Sequence, residues 1–230
     1  MKLRQIVSAS LGIFFTLTSP SVFAVHFGLT DEQMTSVLSG QPIIQRQSDK
    51  NKLIFELKKY LFIHASPDQA QSVFGNYANH ATILKNVFMR ESVITQQTPS
   101  LTTVKYKAHY GITREVHLTP SYTLNYAFRQ TPSGGYQFNW SLGGAEKHMS
   151  DRVGSVQFEP YAGGTLMIYD DRVDIKISDK EKAFATPEKV KKVEKYFETI
   201  ISQTADDFAR AIDESAHKTP SEISPSETLN

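Results

Sequence analysis

Residues 187 to 215 read PEKVKKVEKYFETIISQTADDFARAIDES. Val190, Val193, Phe197, Ile200, Ile201, Thr204, Phe208 and Ile212 recur at steps of three and four, which places them on one stripe of an α-helix. Lys191, Lys192, Lys195, Glu198, Gln203 and Asp207 occupy the rest of the circumference. Thr186 is suited to N-cap this helix, because Pro187 at the first helical position loses no hydrogen bond and has its φ already set. A helix apolar on one side only has to bury that side against a surface of comparable length. Beyond it, residues 216–230 turn to Ser, Thr, Pro and Glu and are expected to form a disordered tail.

The matching surface lies upstream. Apolar and polar residues alternate in runs separated by turn signals about every ten residues, the mark of an antiparallel sheet. The runs cover residues 87–96, 101–110, 114–129 with a bend near Pro120, 136–142, 152–158 and 165–174. Val104, Tyr106 and Ala108, then Leu124, Tyr126 and Phe128, then Phe138, Trp140 and Leu142 form apolar faces, with Lys105, Lys107, Gln137 and Asn139 expected to meet water.

Ahead of these runs, residues 53–63 make a long first strand, for a total of seven. Ser66 and Pro67 then open a helix running to about Tyr77, with Ala70, Val73 and Phe74 inward, and a short helical turn follows over residues 81–86. Thr30 and Gln33 are spaced as a capping box for a further short helix stopped at Gly40, and a polar link leads from there to the first strand. The expected fold class is α+β: a leading helix and link over residues 25–52, then one domain over residues 53–215.

The first 24 residues have the form of a secretory signal: Lys2 and Arg4, an apolar stretch from Ile6 to Leu17, then Pro20 and the triplet Val22-Phe23-Ala24. The apolar core is about a dozen residues, whereas spanning a bilayer takes ~20. We therefore expect cleavage after Ala24 and a periplasmic or secreted protein; the alternative, a retained anchor, is weakened by Gly12 and Ser19. The chain has no cysteine, so disulfides and thiolate chemistry are excluded. Loss of Lys2 and Arg4 takes the formal net charge from +1 to −1, which argues against nucleic acid as a partner. Lys58 and Lys59, like Lys189, Lys191 and Lys192, read as solvated faces.

Two stretches carry a family resemblance. Ile63-His64-Ala65-Ser66-Pro67-Asp68-Gln69-Ala70 with Val73-Phe74-Gly75-Asn76-Tyr77 resembles a strand, an "ASPEQVW" helix start and a "DY" segment; Phe158-Glu159-Pro160 with Gly163-Gly164-Thr165-Leu166 resembles an "L.P...GGT.L" hairpin. With the order of elements, they are similar to the START and Bet v 1-like (SRPBCC) superfamily, known also through polyketide cyclases and coenzyme Q-binding proteins. The resemblance covers residues 53–215 and implies a helix-grip fold, in which a curved sheet wraps the terminal helix around an elongated cavity. Asn76 stands where Asp is common in the family, and His80-Ala81 replaces a frequent Tyr-Pro pair. The leading segment 25–52 is similar to that of secreted bacterial members.

No motif dictates a reaction. The seven histidines form neither HxH nor HExxH, and no nucleophile elbow or phosphate-binding glycine loop is present, so neither metal nor cofactor is expected. The candidate ligand contacts are apolar or aromatic residues on the inward faces and polar residues embedded among them: Tyr106, Tyr126, Phe128, Phe138, Trp140 and Tyr169 on strands, Phe197 and Ile201 on the helix, and Arg114, His117 and Arg172 as orienting groups. Arg114 and Arg172 each have a competing and favoured reading as cross-strand charge on the water face, Arg172 sharing that face with Asp170. The leading expectation is a carrier of a lipid or other hydrophobic small molecule, monomeric and with transient membrane contact. The alternatives are a cyclase- or dehydratase-like enzyme using His117 or Glu91, and a non-enzymatic interaction module with its cavity collapsed.

Overall fold

The computed structural model describes residues 27–49, 54–111, 117–144, 146–147, 149–176 and 186–217. The expected leader, the expected tail from residue 218 onward and Arg114 lie outside the described residues. The chain forms two compact units, one ending at Thr35 and one beginning at Ser36. In the first, the Thr30 N–H donates to Gln33 Oε1 (3.0 Å) and the Gln33 N–H to Thr30 Oγ1 (3.2 Å), the capping box that opens helix α1, Asp31–Leu38.

The second unit carries the rest of the elements. Strands β1 (Ile43–Asp49) and β2 (Ile54–Ile63) precede helix α2 (Pro67–Gly75), a 3₁₀ turn at Tyr77–Asn79, the short helix α3 (His80–Ile83) and a second 3₁₀ turn at Leu84–Val87. Then come β3 (Met89–Gln97), β4 (Thr102–Ala108), β5 (Tyr110–Gly111), β6 (His117–Leu118), β7 (Ser121–Gln130), β8 (Tyr136–Leu142), β9 (Met149–Tyr161), β10 (Gly164–Ile175) and helix α4 (Pro187–His217). Ser66 caps α2 reciprocally with Gln69, and Ala70 and Phe74 are the buried side of that helix.

Eight strands form one curved sheet in the order β1-β2-β10-β9-β8-β7-β4-β3, with every pair antiparallel. This is one strand more than expected. The segment expected to be a polar link contains β1, which pairs along its whole length with β2 (Ile43 opposite Tyr60, Asp49 opposite Ile54). Its polar sequence is that of an edge strand facing water, which period-two hydrophobicity does not reveal. The run expected over residues 114–129 is two strands where it is described. Pro120 has no N–H to give a ladder, so β6 pairs with β5 in a separate two-stranded piece and β7 starts afresh at Ser121.

Helix α4 runs two residues past Ser215 and packs closely on β2 and α2. Phe197, Ile201, Ala205, Phe208 and Ile212 are its buried stripe, joining one core cluster with Phe55, Leu57, Phe74, Phe138 and Phe158. Each large apolar side chain so buried contributes ~1.5–3 kcal/mol. Polar contacts fix the register. The Asp213 carboxylate accepts the His64 N–H at the end of β2 (2.8 Å). Lys59, on the inward face of β2 with 2% exposure, donates from Nζ to Asp206 (2.5 Å), Ser202 Oγ (3.0 Å) and the Ser202 carbonyl (3.3 Å). Lys59 is therefore not the solvated residue its sequence suggests. Strand alternation sends it inward with Phe55 and Leu57, and the helix supplies acceptors.

Because Asp206 is half-exposed, losing the Lys59 pair costs less than losing a fully buried one. We expect Lys59→Ala to lower unfolding free energy by about 2 kcal/mol in urea titration, and Lys59→Met, which keeps the stem buried, by about half of that. A loss below about 0.5 kcal/mol for Lys59→Ala would show that this contact does not hold the helix.

Candidate functional site

Where α4 stands off from β4, β7 and β8, a cavity of about 50 Å³ remains between helix and sheet. Val87, Met89, Leu124, Phe197, Ile201 and Phe208 give it apolar walls, and Phe74 projects into it from α2. Phe74 lies 4.7 Å from Phe208 and 4.9 Å from Phe138 between ring centroids, so much of the space between helix and sheet is filled by the protein's own rings. Two larger hollows, on the faces of α4 around Arg46 and Asp206 and around Val73 and Glu214, open to solvent. The interior one is where apolar surface can be buried.

Two polar clusters are set into the apolar wall. In the first, Asp171 on β10 has no solvent exposure and accepts four hydrogen bonds. Oδ1 takes Trp140 Nε1–H (3.1 Å) and Arg152 Nε–H (3.3 Å), and Oδ2 takes Arg152 Nη2–H (2.7 Å) and the Tyr169 hydroxyl (3.3 Å). The acceptor capacity of the carboxylate is thereby filled. Arg152 also donates from Nη1 to the Tyr122 hydroxyl (3.0 Å). Burial works against the Arg152 charge, yet the adjacent Asp171 carboxylate more than offsets it, and the guanidinium is held firmly protonated. The same burial, reinforced by Asp171, keeps the Tyr169 phenol neutral.

The second cluster is a chain of hydrogen bonds with a fixed direction. His80 Nε2 lies 2.7 Å from the Phe74 carbonyl, which can only accept, so Nε2 carries the proton. Burial lowers the His80 pKa from 6.5 to about 4, although the Phe74 carbonyl raises it somewhat, so the ring is neutral at pH 7 and Nδ1 is a bare acceptor. The Tyr106 hydroxyl, 2.8 Å from Nδ1, donates to it. Tyr126, 2.9 Å from Tyr106, must then donate to the Tyr106 oxygen. Burial keeps both phenols protonated.

Of the residues expected from sequence, Tyr106, Tyr126, Trp140, Tyr169, Phe197 and Ile201 line the cavity. Phe138 is buried behind it, against Phe74 and Phe158. Phe128 is a correction, and Arg172 follows its water-face reading in place of the ligand contact. Phe128 continues the inward alternation of Tyr126, but it is 48% exposed and stacks on Tyr136 at the strand end. Arg172 alternates with inward Asp171 and Val173, so it points to the other side of β10, within 4.0 Å of Asp151. Glu91, weighed as a general acid or base, is exposed on the edge strand and pairs with Lys107 (3.3 Å). Arg114 and the His117 side chain lie outside the described residues.

The sequence reading passes over Tyr122 and Arg152, takes His80 only as a departure from a family pattern, and notes Asp171 only among the charged residues crowding the last strand. For Asp171 the signal was present: placing Asp170 and Arg172 outward places Asp171 inward by the same alternation. Among the described residues no cluster of three or more His, Asp or Glu side chains is arranged to hold a metal.

No family model and no curated protein matches this chain. Solved structures do. A STAR-related lipid transfer protein from Xanthomonas axonopodis superposes with a TM-score of 0.59 at 8% identity, covering 74% of this chain and 93% of its own. The Zhui aromatase/cyclase from a Streptomyces species gives 0.54 at 11% identity, covering 71% and 93%. Human STARD10 gives 0.55 at 11%, covering 74% and 69%. At these identities the likeness is one of fold, and the fold is the START/Bet v 1-like helix grip.

Two expectations follow from this geometry. Gly154 on β9 sits opposite Trp140, and a Cβ there would run into the indole and the Asp170 carbonyl. Gly154→Ala should therefore cost about 2 kcal/mol and shift the emission of Trp140, the only tryptophan, to longer wavelength; an unshifted spectrum would show that the indole is not pinned.

The unfolded chain takes up a proton at His80 near pH 6.5, whereas the folded chain does so only near pH 4. Acid thus favours the unfolded state, and the His80 contribution amounts to about 3 kcal/mol lost as pH falls through that window. Urea titrations at a series of pH values should give His80→Gln a shallower fall than wild type between those limits; parallel curves would show that His80 is not buried neutral.

Proposed function

We propose that this protein binds a hydrophobic small molecule between the concave face of the sheet and α4, and that it does so outside the cytoplasm after loss of residues 1–24. The observation that carries this reading is the cavity wall itself, apolar and aromatic with two buried hydrogen-bonded clusters set into it, the composition of a ligand site. Lipid transfer proteins and aromatase/cyclases share the fold, which supports a hydrophobic ligand. At about 50 Å³ the cavity holds a head group, whereas a whole ligand needs ~300–1,000 Å³. Loading therefore involves moving side chains such as Phe74 and Phe208 or lifting α4.

A cyclase-like activity has less support. A general base needs a free lone pair, and neither cluster offers a basic one: Asp171 accepts four bonds and both His80 nitrogens are engaged. The small volume favours a different second reading, an interaction module whose interior is closed by its own rings.

Solvent extraction of natively purified protein followed by mass spectrometry separates the two. The carrier reading expects an apolar small molecule at close to one per chain, released on unfolding and absent from a heat-denatured control. Protein that is empty as purified, and still empty after incubation with total lipid extract, would instead support the closed module. Location is checked by fractionating cells that express the full chain: processed protein missing residues 1–24 is expected outside the cytoplasm, and unprocessed protein in the cytosol would contradict it.

A further inference from the structure

We infer that the ligand carries a neutral hydroxyl, such as that of a long-chain alcohol, in preference to a carboxylate, phosphate, ether or ester. The inference rests on the proposed ligand-binding role of the cavity and deepens it. Three features of the wall combine.

The first is the direction of the chain from His80. Because Phe74 O accepts from His80, His80 from Tyr106 and Tyr106 from Tyr126, the Tyr126 proton is committed. What Tyr126 has left for the cavity is a lone pair, so its partner there has to be a donor. An ether or ester oxygen, a carboxylate or a phosphate dianion has no proton to give it.

The second is Tyr122. It accepts from Arg152 Nη1, so its own proton is free for an acceptor, and Arg152 keeps one further N–H on each of Nη1 and Nη2. The wall therefore lacks one donor at Tyr126 and offers donors at Tyr122 and Arg152. A hydroxyl gives and accepts, and so can meet either kind of group. A hydrocarbon meets neither and leaves both unpaired.

The third is charge. Among the described residues Arg152 is the cation of the wall, and it is already paired in two-pronged fashion with Asp171, so that cluster is neutral as a unit. An anionic head brought beside it would be buried next to Asp171 with no spare positive charge from the described residues, which is strongly unfavourable. A neutral head meets no such cost.

The test is titration of Trp140 emission in the intact mature protein with dodecanol, its methyl ether, dodecanoate at about pH 8, and dodecane. Dodecanol is expected to bind about tenfold more tightly than the methyl ether, and more tightly still than dodecanoate. In Tyr126→Phe, which keeps the ring, the alcohol and its ether are expected to agree within about twofold. Dodecanoate or the methyl ether binding wild type as tightly as dodecanol would overturn the hydroxyl assignment and leave the cavity a hydrophobic binding site. Failure of all four to bind would remove the ligand-binding reading, and the assignment with it. The comparison in wild type decides the matter even if Tyr126→Phe does not fold.

Discussion

A carboxylate without solvent exposure lies in the middle of an apolar interior, and the arrangement of the central strands follows from having to satisfy it. An uncompensated charge there would cost several kcal/mol. Asp171 on β10 avoids that cost only because Trp140 comes from β8, Arg152 from β9 and Tyr169 from its own strand. A slip of one residue in either pairing would turn these partners to the opposite face, so the cluster specifies register as well as charge balance. Gly154 belongs to the same constraint, since the indole that reaches Asp171 crosses the space that a side chain there would take.

Helix α4 closes this interior but does not supply its polar partners. Its contribution is apolar, through Phe197, Ile201 and Phe208, while Lys59 and Asp213 tie it to β2 by separate contacts on the flank and at the end of that strand. The division of labour matters for binding. In the proposed binding role, a ligand would enter by displacing apolar side chains, whose contacts have no fixed direction, and would leave the buried hydrogen bonds of the wall intact. Among the described residues no helix is long and apolar enough to cross a membrane.

The architecture was legible because its signals are periodic. The stripe from Phe197 to Ile212, the Ser66-Pro67 helix start and the alternation through Tyr106, Tyr126 and Trp140 each announce themselves locally. Strand β1 did not, because an edge strand carries polar residues on both sides, and Lys59 did not, because its partners lie more than 140 positions away in the chain. The site was half legible for the same reason. Aromatics on an inward face can be counted from sequence, but that Arg152 turns toward Asp171, or that His80 ends a hydrogen-bonded chain, depends on pairings between strands and helices remote in sequence. Phe128 shows the converse, since alternation gives a side chain's direction but not where the covering layer stops.

In the proposed binding role, the buried Arg152–Asp171 pair serves what the wall presents to a ligand more than net stability. A double-mutant cycle in urea, with dodecanol binding measured on each variant that folds, tests it most directly. Arg152→Met and Asp171→Leu should each cost about 3–5 kcal/mol, because each strands a buried partner, and the double substitution should cost clearly less than their sum, though Trp140 and Tyr169 still lose their acceptor, while weakening binding at least tenfold. Additive costs, or a folded double variant that binds dodecanol as wild type does, would contradict the account.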